Sequence, residues 1–155
     1  MKLDSEKEID VPIATAFEDM TDFPRIERRA AGWGAELRRT DELVGPCVGM
    51  TWQARVILRE RRRDLTVRLV EHDAPDALLV TAESADIEAR IRVALTALSP
   101  ARSRVAVRLD VSPRTLAGRL LLQSAKLAGK TLEERFRLRV ANYAMDIEDR
   151  AARQR

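Results

Sequence analysis

The 155-residue sequence predicts an α+β protein: a seven-stranded, curved antiparallel sheet wrapped around one long C-terminal helix, with two short helices between the first and second strands. Three observations carry this. Seven segments alternate apolar and polar residues with a period of two. Two consecutive helix signals interrupt them once, between Val11 and Trp33. After Pro113 there is no further proline, and the apolar residues recur at helical spacing.

In chain order, the first segment sets Leu3, Ser5, Lys7 and Ile9 on one face against Lys2, Asp4, Glu6 and Glu8 on the other. Asp10 is then placed to cap a helix with Pro12 in its first turn, and Ile13, Phe17 and Met20 form its apolar stripe. Asp22 and Pro24 repeat the signal for a second short helix carrying Phe23, Ile26 and Ala30. Alternation resumes at Trp33, Ala35 and Leu37. It continues through Met50, Trp52, Ala54 and Val56, through Leu65, Val67 and Leu69, and through Leu78, Val80 and Ala82. Ile87, Ala89, Ile91, Val93 and Leu95 follow, then Val105, Val107 and Leu109. The linkers, such as "EHDAPD" and "SPARS", are short and polar, which favours antiparallel hairpins. Glu and Arg on the opposite face suit cross-strand pairing in water. Ser112 and Pro113 open the predicted long helix, whose broad apolar face includes Leu121, Ala125, Leu132, Phe136, Val140, Tyr143 and Ile147, with a neighbouring stripe through Leu120, Leu127, Thr131 and Leu138. The end beyond about residue 150 is expected to fray. No repeat or domain boundary interrupts the pattern, so residues 1–155 are expected to form one domain.

Seven strands about 4.8 Å apart make a sheet roughly 34 Å wide, whereas a helix with its side chains spans about 10–12 Å. The sheet must therefore curl, leaving a concave face to be filled or left hollow. Aromatic residues are 4% of the chain, so an interior of Val, Leu, Ile and Ala favours a hollow, with the two short helices across its open end.

Composition narrows the function. Lys and Arg number 28 and Asp and Glu 25, a formal charge of +3, which is weak for a dedicated nucleic-acid binder. No stretch of about 18 apolar residues suggests stable membrane insertion, and the N-terminus has no signal-peptide pattern. One cysteine, Cys47, permits no intrachain disulfide, and with His72 as the single histidine, zinc and triad chemistry lose most of their support. A cytoplasmic location and no cofactor or metal are expected; the oligomeric state is left open.

The order of elements, with "IDVP" leading into "AFEDMTDFPRI", resembles the SRPBCC or START-like superfamily of helix-grip proteins, which includes Bet v 1-like proteins and polyketide cyclases. The resemblance spans essentially the whole chain and implies a cavity for a lipid, polyketide or other apolar molecule. On the predicted inner faces, Phe23, Ile26, Trp33, Trp52, Ala54, Val67, Leu69, Val80, Ile91, Val93, Leu127 and Thr131 are the candidate ligand contacts. Polar inward positions are few. Lys7, Thr131 and Tyr143 are the candidates for catalysis; Lys7 either snorkels to water from an edge strand or serves as a buried amine. His72 is expected in a surface turn, and Cys47 as a small packing residue. The basic run from Arg59 to Asp64 and the basic last helix read as solvated surfaces. Three functions follow: a carrier of a hydrophobic small molecule, a cyclase or aromatase-type enzyme, or a module that docks a protein partner.

Overall fold

The computed structural model describes residues 1–58 and 60–154, with Leu58 described by its backbone alone; Arg59 and Arg155, which the sequence places in basic surfaces, lie outside the described residues. Strand β1 (Lys2–Ile9) leads into helices α1 (Ile13–Met20) and α2 (Phe23–Arg29) and a 3-10 turn (Ala30–Trp33). Strands β2 (Ala35–Arg39), β3 (Thr51–Leu58), β4 (Arg61–Asp73), β5 (Ala77–Glu83), β6 (Ile87–Ser99) and β7 (Arg102–Pro113) follow, then helices α3 (Leu116–Lys126) and α4 (Gly129–Arg153). All seven strands form one antiparallel sheet in the order β1-β7-β6-β5-β4-β3-β2. The chain's first strand closes on its last, and β1 and β2 are the two edges.

Register confirms the predicted inner face. Trp52 stands opposite Val67, Val67 opposite Ala82, and Ala82 opposite Ala89. One row further, Leu69, Val80, Ile91, Leu109 and Leu3 run across five strands. Because side chains alternate along a strand, all of these share a face.

The core occupies one end of that face. Phe17, Met20 and Phe23 from the short helices pack with Trp52, Leu69, Leu78, Val93, Leu95 and Val105 from the sheet and Ala144, Ile147 and Ala151 from α4. Phe23 meets Trp52 edge-on at 5.2 Å between ring centres. Buried Ser103 at the start of β7 donates to the Val11 carbonyl at 2.7 Å, pinning the lead-in to α1. The short helices are therefore packed floor, where the sequence suggested a cover over an open end.

Four details differ from expectation. Asp10 does not cap α1; its carboxylate accepts from Arg102 at 2.9 Å, and Pro12 occupies the cap position without a side-chain bond. The long C-terminal helix is two helices. Strand β7 runs on to Pro113, Thr115 caps α3 by accepting from the Gly118 amide, and the chain breaks at Ala128 before α4. A paired strand through Pro113 leaves Ser112 no role as a helix start. Trp33 lies in the 3-10 turn, because Gly34 at φ 79° turns the chain before β2 begins. Finally, α4 continues to Arg153 rather than fraying near residue 150, because Ala151 is buried and Arg150 is held by two carboxylates.

Candidate functional site

Helix α4 grips the sheet with only part of its length. Its buried residues are Val140, Ala144, Ile147 and Ala151, a stripe confined to its C-terminal half. Its main packing partner is edge strand β1. Toward the N-terminal half, Leu132 and Phe136 are only partly buried. The inner sheet face shows the matching pattern: Leu37, Val67, Val80, Ile91 and Val107 pack against the core yet keep part of their surface open. Apolar groups left partly open on a concave surface are what a pocket for an apolar molecule requires.

A groove of about 580 Å³ lies between the 3-10 turn and α4, lined by Trp33 and α4 side chains alone. Trp33, Leu138 and Tyr143 supply its apolar surface, and Arg135, Arg139, Asn142 and Asp146 its polar one. Arg29 bonds Asp146 at 2.6 Å, tying α2 to α4 along this side. Tyr143 is half-buried where the groove meets the core, and burial, with the negative charge of Asp19 adding to it, raises its phenol above the ordinary value. The phenol is thus a neutral hydrogen-bond donor throughout the physiological range.

A charged pin holds the packed end shut. Arg150 on α4 donates to Asp19 at 2.7 Å and to Asp22 at 2.6 Å, and Arg25 donates to Asp19 at 3.1 Å. The Arg150 hydrogen bond holds the Asp22 carboxyl below its usual range against the opposing effect of burial. Asp22 also accepts from the Arg25 amide as the cap of α2, as its place before Pro24 predicted.

Of the predicted ligand contacts, Trp52, Ala54, Val67, Leu69, Val80, Ile91 and Val93 share the inner face. Trp52, Ala54, Leu69 and Val93 are buried in the protein's own packing, leaving Val67, Val80 and Ile91 with open surface. Phe23 is buried and Ile26 partly so. Trp33 is 43% exposed in the groove. Leu127 and Thr131 are both exposed, away from that face, because the break at Ala128 ends the continuous stripe that placed them inward. Lys7 is exposed on edge strand β1 opposite Val105, as its snorkelling alternative required. The three candidate polar groups therefore do not converge: Tyr143 lines the groove, whereas Lys7 and Thr131 are on the surface.

His72 was expected in a surface turn, but it lies next to the end of β4 on the inner face, opposite Leu78 and edge-on to Phe17 at 5.2 Å. A bulge between Leu69 and Glu71 shifts the alternation by one residue and turns it inward. Sequence reasoning also passed over two inner-face arginines. Arg39 shares the parity of Leu37, lies over the Trp52 ring at 5.7 Å, and is held by Asp41 at 2.7 and 2.8 Å. That bond, with amides of Thr51 and Leu43, keeps the Asp41 carboxyl well below its usual range. Trp52 in turn donates to Glu27 at 2.7 Å. Arg63 shares the parity of Leu65 and sits 3.9 Å from Asp86. Strict counting along each strand would have found both. Cys47 is partly buried against the core, consistent with packing. Among the described residues no group of three or more His, Cys, Asp and Glu side chains is placed to hold a metal, and no helix is long and apolar enough to cross a membrane.

No protein-family model matches the sequence, and no curated protein matches it. Solved structures do. A protein from Thermus thermophilus superposes with a TM-score of 0.71 at 12% identity, over 97% of this chain and 99% of that one. The Zhui aromatase/cyclase from Streptomyces sp. R1128 gives 0.69 at 10% identity, over 97% and 95%. A START superfamily protein from Mycobacterium smegmatis gives 0.54 at 12% identity, over 86% and 95%. The chain has an SRPBCC-like fold, the helix-grip arrangement of its START neighbours.

Proposed function

We propose that this protein binds an apolar small molecule between the inner sheet face and the N-terminal half of α4, with access past the groove of Trp33, Leu138 and Tyr143. The observation that carries this is the mismatch in α4: its buried stripe begins at Val140, while the apolar side chains of Val67, Val80, Ile91 and Val107 remain partly open. Burial of ligand surface there supplies affinity at about 25 cal/mol per Å². Arg135, Arg139 and Asn142 at the groove are placed to meet a polar end. The cavity that the resemblance to SRPBCC proteins implies supports the same reading.

Native mass spectrometry of freshly purified protein, followed by organic extraction, tests it. A stoichiometric apolar adduct, lost in Val80→Phe, is expected. A clean mass, together with no uptake of an added fatty acid or naphthalene probe, contradicts it.

A second reading is a cyclase-type enzyme. It is favoured by the aromatase/cyclase among the structural neighbours and by Tyr143, a neutral phenol at the groove that could donate a proton or polarise a carbonyl. Turnover of a linear polyketide that falls in Tyr143→Phe while binding persists would support it. Binding without turnover would leave the carrier.

A further inference from the structure

From Val111 to Leu132 the chain contains no acidic residue, yet it carries Arg114, Arg119, Lys126 and Lys130. Helix α3 lies inside this segment. It faces the protein with Gly118 and Leu122, its buried residues. The contact is close: a Cβ on Gly118 would run into the Asp86 carbonyl oxygen. Its other side carries leucines in water. Leu116 and Leu120, with Leu127 at the helix's C-cap in helical conformation, are 72%, 58% and 91% exposed, and at 3.6 residues per turn they fall within about 40° of one another.

The helix itself carries only cations, while the carboxylates near it, Glu83 and Asp86, face Arg114, Arg63 and Thr115. Arg119, Lys126 and Lys130 are exposed and form no ion pair among the described residues, and only Arg114 is engaged, 3.5 Å from Glu83. Helix α4, by contrast, mixes Glu133, Glu134, Asp146, Glu148 and Asp149 with its arginines. The β3–β4 hairpin adds to the same end. Arg63 approaches Asp86, whose carboxylate accepts from Thr115 at the cap of α3 at 2.8 Å. Further along that hairpin Arg61 and Arg62 are exposed, and Ile57 is 71% exposed.

A leucine stripe on a short helix whose own charged residues are all cations, with Arg119, Lys126 and neighbouring Lys130 in no ion pair among the described residues, matches the boundary of an anionic bilayer: acyl chains take the leucines and headgroup phosphates the cations. We propose that α3 is a reversible membrane-docking helix, lying flat in the interface of a bilayer that contains anionic lipid. This goes beyond ligand binding and does not depend on it. The charge complementarity selects a lipid surface over a second copy of the chain, whose matching face would bring like charges together.

Flotation of the full-length protein with vesicles tests it. With equal parts phosphatidylglycerol and phosphatidylcholine the protein should float; with phosphatidylcholine alone it should not. Raising the salt should weaken binding, and Leu120→Glu with Leu127→Glu should reduce it at least about tenfold. Lys126→Glu should weaken it by a smaller factor. Met145→Glu, an exposed site on α4, should leave it unchanged. Thermal melts of each variant establish that the fold is intact. Absence of flotation with anionic vesicles, or flotation unaltered by the leucine changes, overturns the proposal. So does a dimer in size exclusion that is lost with those leucines while vesicles are ignored, since the stripe would then be a self-association face.

Discussion

Two stretches of one concave surface differ in how they are filled. At one end Leu69 and Val105 show no exposed surface and Ile147 only 1%, sealed by α1, α2 and the C-terminal half of α4. At the other, Val67, Val80, Ile91 and Val107 stand on the same strands and are left partly open. The residue types are alike, so composition does not make the difference. It arises from the helix, whose buried stripe starts at Val140, and from the Arg150 pin, which fixes that half against the short helices. The two halves of α4 thus differ: the C-terminal half is pinned and sealed, and the N-terminal half leaves the facing side chains open, where the proposed guest would sit.

The sharpest break of this contrast is a pair of truncations. Val105→Ala should cost about 2 kcal/mol in urea unfolding, because the sealed end cannot collapse around the void, whereas the same truncation at Val80 should cost about 1 kcal/mol. Equal losses would show that the two ends are packed alike. Next, Gly118→Ala forces a Cβ against the Asp86 carbonyl and should cost about 2 kcal/mol. Its effect should appear as faster amide exchange in α3 and the β5–β6 turn, with the α1–α2 floor unaffected.

Removing the pin with Arg150→Met should cost about 2 kcal/mol at neutral pH. The pH dependence follows from Asp22. Its folded-state value is lowered, so the stabilisation is complete above the ordinary value of 3.8 and is lost as pH falls through the lower folded value. The stability gap between wild type and variant should therefore narrow in that acid range, measured by urea titration at several pH values. A gap that stays constant with pH would contradict it. The smallest effect is expected from Val80→Phe. Filling open space should change stability by less than about 1 kcal/mol, where the same enlargement in a sealed core costs about 1–3 kcal/mol.

The shared face on which this contrast plays out was already visible in the residue pattern. Strict alternation placed Trp52, Val67, Leu69, Val80 and Ile91 on one face, and Asp22 before Pro24 marked the second helix. What escaped notice depended on tertiary structure. The bulge after Leu69 inverted the parity at His72, and no local signal in "LVEHD" announces it. The break at Ala128 moved Leu127 and Thr131 outward, though Gly129 beside it was a hint in the sequence. Arg39 and Arg63 were overlooked because arginine suggests solvent, whereas their strands count them inward and give them carboxylate partners. Which half of α4 would be sealed could not be read from its stripe, since Phe136 and Ile147 look equivalent until the short helices choose one.

The most direct test of the account is methyl NMR of the protein titrated with a fatty acid or naphthalene probe. Methyl signals of Val67, Val80, Ile91 and Val107 should move together in a saturable fashion, while those of Leu69, Leu95 and Val105 stay nearly fixed. Shifts confined to surface leucines such as Leu116 and Leu120, or no shifts at saturating probe, would contradict the claim that the open half of the sheet face is a ligand chamber.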